Sequence, residues 1–197
     1  MPYSIDPTEK DCYPGTAVLI NKLGLCSQEA LDEAEKVAVP LRSMELEQET
    51  ICEPFTFSFY CGLHQRLFGD IYPWAGQVRA VDLSKKGTSF CPASRVKELG
   101  EAKFQRLQEM DELRGLPKEA FLREVTDLYH ELNMLHPFRE GNGRTQRLFF
   151  TLLIRRAGYD ISFADCDTDQ LMIATILAAQ GVMDHLENFF RTAVIER

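Results

Sequence analysis

Tryptophan is nearly absent from this chain, one among 197 residues, and bases are outnumbered, with 22 Lys and Arg against 30 Asp and Glu. The net charge of -8 and an isoelectric point near 5.1 argue against the basic face by which nucleic-acid-binding proteins neutralise phosphates. Any link to DNA should therefore run through a protein. No apolar run reaches the roughly 20 residues of a membrane span, and the amino-terminal MPYSIDPTEK has no apolar signal core, so a cytoplasmic protein without membrane contact is expected. Cysteines at 12, 26, 52, 61, 91 and 166 form no Cys-x-x-Cys pair in a chain too large to need disulfides, and they read as reduced thiols. His64, His130 and His185 have no carboxylate or cysteine at metal-ligand spacing, which argues against a zinc site. Repeats and low-complexity tracts are lacking too.

What remains is 45% hydrophobic, enough for one sizeable core, so residues 1–197 read as a single domain with an arm over about 1–15. Ser27 can cap a helix carrying Ala30, Ala34, Val37 and Leu41, which Pro40 should kink or break. Phe55, Phe59, Leu63 and Leu67 support a helix to Phe68, and Phe121, Val125, Leu128, Leu132 and Leu135 another that Pro137 stops at His136. A helix after Gly143 runs to Gly158, another from Asp167 or Thr168 through Leu171 to Ala179, and a last one from Met183 to Val194 after a break at Gly181. Gln77 to Leu83 reads as a strand, Lys85-Lys86-Gly87-Thr88 as a turn, and Ser89-Phe90-Cys91 as a returning strand, a flap over about 77–92. The fold class expected is all-α, a bundle of about seven helices with one small β-hairpin.

The twelve residues HPFREGNGRTQR, His136 to Arg147, concentrate the chemistry. Gly141 and Gly143 let the backbone take positive φ and approach a ligand, and amides just before a helix form a concave anion site. Charge-assisted hydrogen bonds from Arg144 and Arg147, about 1.5 to 3 kcal/mol each, should outweigh the about 0.3 to 1 kcal/mol of the helix terminus. Glu140 would be repelled by polyphosphate unless a cation lay between them, and Mg2+ takes one or two carboxylates plus phosphate oxygens and water. With a near-neutral pKa, His136 can take the proton of an attacking hydroxyl.

This segment resembles the signature of the Fic family, His-x-Phe-x-(Asp/Glu)-(Gly/Ala)-Asn-(Gly/Lys)-Arg-x-x-Arg, at every constrained position. Leu63-His64, Leu67-Phe68, Asp70-Ile71 and Trp74-Ala75-Gly76 resemble the family's lead-in, and Tyr13-Pro14-Gly15 through Arg42-Ser43-Met44 resembles bacterial Fic toxins. The resemblance implies transfer of AMP from ATP to a protein hydroxyl with release of pyrophosphate. It casts His136 as the base, Phe138 as a hydrophobic anchor and Glu140 as the Mg2+ ligand. Asn142, with the amides around Gly141 and Gly143, would hold phosphates, and Arg144 and Arg147 would grip the β and γ phosphates. Glycine at 143, where the phosphotransferase branch carries lysine, favours adenylylation. The flap residues Ser89, Phe90 and Cys91 would position an extended target segment, with Phe90 clamping the modified side chain.

Similarity to the toxins suggests a subunit of gyrase or topoisomerase IV as target. Fic enzymes of this kind are restrained by a helix with (Ser/Thr)-x-x-x-Glu-(Gly/Asn), whose glutamate pairs with the second signature arginine, here Arg147. Ser43 to Glu47 and Thr192 to Glu196 are near misses lacking the final small or Asn residue. A separate small antitoxin is therefore expected to supply that helix, with Thr192 and Glu196 as an intramolecular alternative. A transferase using another nucleotide or phosphate-containing donor, and an inactive nucleotide-binding scaffold, are the competing readings.

Overall fold

A computed structural model describes residues 11–85 and 87–197, leaving most of the expected arm and Lys86 of the expected turn outside the described residues. The described residues hold seven α-helices: α1 Gln28–Gln48, α2 Phe57–Phe68, α3 Val96–Glu109, α4 Lys118–Leu135, α5 Asn142–Arg156, α6 Thr168–Ala179 and α7 Asp184–Ala193. Two antiparallel pairs accompany them, β1 Ser84–Lys85 with β2 Thr88–Ser89, and β3 Tyr159–Asp160 with β4 Ile195–Glu196. This is the all-α bundle with a hairpin that the periodicity predicts.

Helix α5 runs through the middle, because Leu148 to Ile154 offers apolar side chains on every side and all seven residues are buried. Phe149 meets Phe55, Tyr60 and Phe104 with ring centroids 5.4, 5.2 and 5.3 Å apart. Helix α2 packs on one flank of α5 and α4 on another, while α7 and α6 cover α4. The loop joining the two central helices is consequently held on both sides by packed elements.

The course of the elements departs from the sequence reading in four places. Helix α1 continues through Pro40 without a break, and its buried residues are Leu31, Glu35, Val39 and Leu46, so the stripe Ala30, Val37 and Leu41 faces solvent. Pro40 is exposed, on the side where water can take the carbonyl it leaves unbonded. Helix α3 was not anticipated, although Val96, Gly100, Phe104 and Leu107 form its buried stripe; a Cβ on Gly100 would stand 2.7 Å from the Phe57 ring. Gln77 to Leu83 is irregular rather than a strand, since the Arg79 amide bonds Pro137 O (2.9 Å) instead of a ladder partner. Finally, β4 ties the carboxyl end to the segment after α5.

A candidate active site between α4 and α5

His136 closes α4 as its left-handed cap, φ 45° and ψ 62°, a costly conformation for a residue with a Cβ. Its amide still bonds Leu132 O at 3.1 Å, so the imidazole leaves the helix end at a fixed angle. Nδ1 lies 3.1 Å from the Asn133 carbonyl, and because a carbonyl only accepts, Nδ1 carries the proton and Nε2 the lone pair. Burial, reinforced by the positive charges of Arg79 and Lys85, lowers the His136 pKa to about 3. The imidazole is thus neutral, with the basic nitrogen defined by geometry.

The loop is shaped from within. Phe138 is fully buried, its ring stacked on His64 at 3.9 Å and 21°. His64 Nδ1 accepts from the Gly76 amide (2.8 Å) while Nε2 donates to Glu140 O (3.0 Å), which sets its tautomer, and burial lowers its pKa to about 4. Asn142 Oδ1 accepts from the Phe138 amide (2.8 Å) and Nδ2 donates to Phe138 O (2.7 Å). This side chain therefore closes the loop on itself, a different position from the expected direct hold on phosphate. Gly141 has φ 80°, and a Cβ there would stand 2.5 Å from the Phe68 ring. Gly143, also expected at positive φ, instead lies inside α5, where a Cβ would come 3.4 Å from Arg147 Nη1. The first intrahelical bond of α5 is Thr145 N–H to Gly141 O (3.1 Å) and among the described residues no side chain caps it, so the amides of 142–144 are those an anion would meet.

The two arginines stand in different surroundings. Arg144 donates to Glu35 of α1, lies 3.5 Å from Glu140 Oε1, and covers the Phe68 ring with Cζ 4.7 Å from its centroid. Glu35 also accepts from the Tyr72 hydroxyl. Among the described residues no carboxylate forms an ion pair with Arg147, which lines a cavity of about 320 Å3 together with Phe90, His136, Gly143, Thr88, Met172 and Ile176. Glu140 and Arg144 line a second cavity, about 610 Å3, with Glu35, Tyr72 and Arg139; Lys85 borders both. The signature residues thereby line two neighbouring cavities. Glu140 Oε1 accepts the Gly141 amide at 2.8 Å, and among the described residues no three His, Cys, Asp or Glu gather as a metal cage. One half-buried carboxylate suits Mg2+, which keeps phosphate and water ligands.

The flap reaches the base directly. Phe90 stacks on the His136 imidazole with centroids 3.7 Å apart and planes 11° from parallel. Ser89 pairs with Ser84, and the Phe90 amide bonds Leu83 O at 3.1 Å. Cys91 donates its amide to Met134 O (2.9 Å) and its carbonyl accepts from Arg79, so it anchors the flap to α4 and is turned away from strand addition. Arg79, which the sequence reading passed over, sits beneath: Nε donates to His136 O (2.7 Å), Nη1 to Val81 O (2.6 Å) and Nη2 to Cys91 O. Glu35 was missed as well, being 109 residues from its arginine. Glu35 has no local signal, and the one hint for Arg79 was its place between Val78 and Ala80.

Thr192 and Glu196 do not form the one-turn helical motif that an intramolecular brake requires. Helix α7 ends at Ala193, the buried Val194 is extended, and Glu196 lies in β4 with its carboxylate 3.3 Å from Lys118 Nζ. The strand pairing overrides the helical spacing there. All six cysteines are free thiols, and no helix of the described residues is long and apolar enough to cross a membrane.

Comparison with known proteins converges on one group. A family model described as the Fic/DOC family matches residues 54–154. Over 184 residues the chain is 34% identical to a Salmonella typhimurium protein named "Probable protein adenylyltransferase Fic", covering 93% of this chain and 91% of that one. It is 35% identical over 183 residues to the protein adenylyltransferase VbhT of Bartonella schoenbuchensis, covering 93% of this chain but spanning only 38% of that relative. The amino-terminal Fic domain of a VirB-translocated Bep effector from Bartonella quintana, solved with bound ADP, superposes with a TM-score of 0.90 at 25% identity and 95% coverage of each chain.

Proposed function

Since the chain belongs to the Fic/DOC family, we propose that it is a protein adenylyltransferase, moving AMP from ATP to a hydroxyl side chain of a target protein and releasing pyrophosphate. The observation that carries this reading is the His136 corner: a neutral imidazole, its Nδ1 proton held by Asn133 O, beside a cavity lined by Gly143 and Arg147. A hydroxyl oxygen attacking the α-phosphorus gives its proton to Nε2, the bond from that phosphorus to the bridging oxygen breaks, and pyrophosphate takes the electron pair. Arg147 meets the leaving phosphates, with the 142–144 amides beside it. Glu140 is the residue that would hold Mg2+, which supplies charge neutralisation to the phosphates.

A pKa near 3 makes His136 a weak base as it stands, and optimal proton transfer needs a value nearer the working pH. Triphosphate charge beside the ring, and movement of Phe90 off it as target enters, both raise that value. Phe90 and Ser89 are accordingly assigned to the target side of the flap. The unpaired state of Arg147 among the described residues, with Glu196 held by Lys118, supports a brake supplied in trans. We assign that brake to a small antitoxin, the protein to a cytoplasmic toxin, and the target to a type II topoisomerase subunit such as gyrase or topoisomerase IV.

The test is incubation of the protein and its His136→Ala variant with α-labelled ATP, Mg2+ and bacterial lysate, followed by autoradiography and mass spectrometry. Label with the mass of AMP that vanishes in the variant is expected, while calorimetry finds ATP binding largely retained. An adduct with the mass of UMP or of phosphate would assign another donor.

A further inference from the structure

The apolar stripe by which α1 is recognisable in the sequence is not the face that α1 buries. Val37, Leu41 and Met44 are 72%, 58% and 60% exposed, while Leu31, Val39 and Leu46 enter the core from the opposite side. With the exposed Ala30 and half-buried Ala34 they are spaced four, three, four and three residues apart, the repeat of a coiled-coil seam. Few monomers leave such a stripe uncovered. Helical geometry places Glu33 and Glu47 along one edge of the seam and Glu45 along the other. Glu47 is held by Arg155 at 3.1 Å and Glu35 by Arg144, while Lys36 and Arg42 pair with Glu33 and Glu45 at 2.5 and 2.9 Å only as exposed, weak pairs, so Glu33 and Glu45, with the neighbouring Glu29 and Asp32, leave the outer side of the helix acidic.

We propose that the outer face of α1 is a docking surface for a basic amphipathic helix of a separate protein, apolar along its own seam and carrying lysine or arginine at the flanking positions. The acidic edges decide the occupant. A second copy of this chain would bring one acidic outer face against another of like charge, a pairing that coiled coils use to reject partners, whereas a basic helix gains at Glu33 on one edge and Glu45 on the other. The seam lies opposite the Glu35 face of α1, so a helix seated there contacts neither Arg144 nor the cavity beside His136. This inference rests on none of the catalytic reading, and its test reads binding alone.

The probe is a labelled synthetic helical peptide of about three heptads, leucine at the seam positions and lysine or arginine at the edges, titrated against the full chain by fluorescence anisotropy. A matched peptide with glutamate at the edges is run beside it, and the double variant Leu41→Gln/Met44→Gln serves as the second protein. Both substitutions are on exposed positions, so the variant should keep its circular dichroism and melting temperature. Saturable one-to-one binding of the basic peptide is expected, weakened about tenfold or more by the variant, with the acidic peptide not binding. Absence of binding, equal binding of both peptides, or undiminished binding to the variant overturns the proposal. So does light scattering that finds the chain alone dimeric and the variant monomeric, which would give the seam to a second copy.

Discussion

Arg79 illustrates how one side chain can join distant backbone segments around His136. Fully buried, it donates to carbonyls of Val81, Cys91 and His136, joining the flap to the catalytic corner through a planar fork. Lysine offers three donors from one point and cannot meet carbonyls spread around a guanidinium. Arg79→Lys should lower stability by about 2 to 4 kcal/mol and turnover by tenfold or more, as displaced imidazole geometry predicts. Thermal melting and single-turnover transfer read the two effects, and unchanged turnover would show that the corner holds itself. Gly141 is the other sensitive residue, since both its φ of 80° and the Phe68 ring oppose a Cβ. Gly141→Ala should cost about 2 to 4 kcal/mol in chemical denaturation and weaken ATP binding through the displaced amides; a loss below about 0.5 kcal/mol would mean the loop relaxes easily. His136 and the two signature arginines were legible from the sequence because their chemistry is local. Asn142 stands out in the sequence as well, and its two bonds to Phe138 close the loop on itself.

At the scale of elements, the flap and α4 meet through the stacked pair Phe90 and His136. Burial is the leading cause of the depressed His136 pKa, so uncovering the ring must raise it toward 6.5. Phe90→Ala should shift the His136 titration upward by more than one pH unit in proton NMR, and should slow target modification more than it weakens ATP binding. A titration that stays put would assign the depression to the charges of Arg79 and Lys85. The hairpin was foreseen with strands that were too long, because Gln77 to Leu83 alternates like a strand while the Arg79 amide goes to Pro137 O after α4 and the Gln77 amide to Trp74 O. Helix α1 carried the opposite lesson. Its periodicity located the helix correctly and its inner face wrongly, since a stripe of apolar residues says that something covers it and not that the core does.

For the molecule as a whole, two buried neutral histidines link stability to pH. His64 and His136 have folded pKa values of about 4 and about 3, below the 6.5 of an exposed imidazole. Between those values and 6.5 the unfolded chain binds protons that the folded chain refuses, so the stabilisation is fully present above 6.5 and is lost as pH falls. Each group contributes a slope of up to about 1.4 kcal/mol per pH unit, and the upper part of the window, above about pH 5.5, lies clear of the range where most carboxylates titrate. Melting followed from pH 7 to 5.5 should show a falling midpoint, and His64→Gln, though less stable at pH 7, should show a shallower fall. A midpoint that does not change over this range would mean that one or both rings become hydrated on protonation without unfolding.

The amino-acid sequence by itself determined the helical class, the loop from His136 to Arg147 and the family, because these depend on spacing along one segment and on side-chain chemistry that needs no partner from afar. Tertiary structure alone decided which face of α1 is buried, that Glu35 meets Arg144, that Arg79 holds the His136 corner, and that Glu196 ends in a strand against Tyr159. Each of these joins residues separated by 37 to 109 positions or selects one of two faces of a helix, and their free energies come from packing and from satisfying buried charges, terms that have no value until the chain has closed on itself.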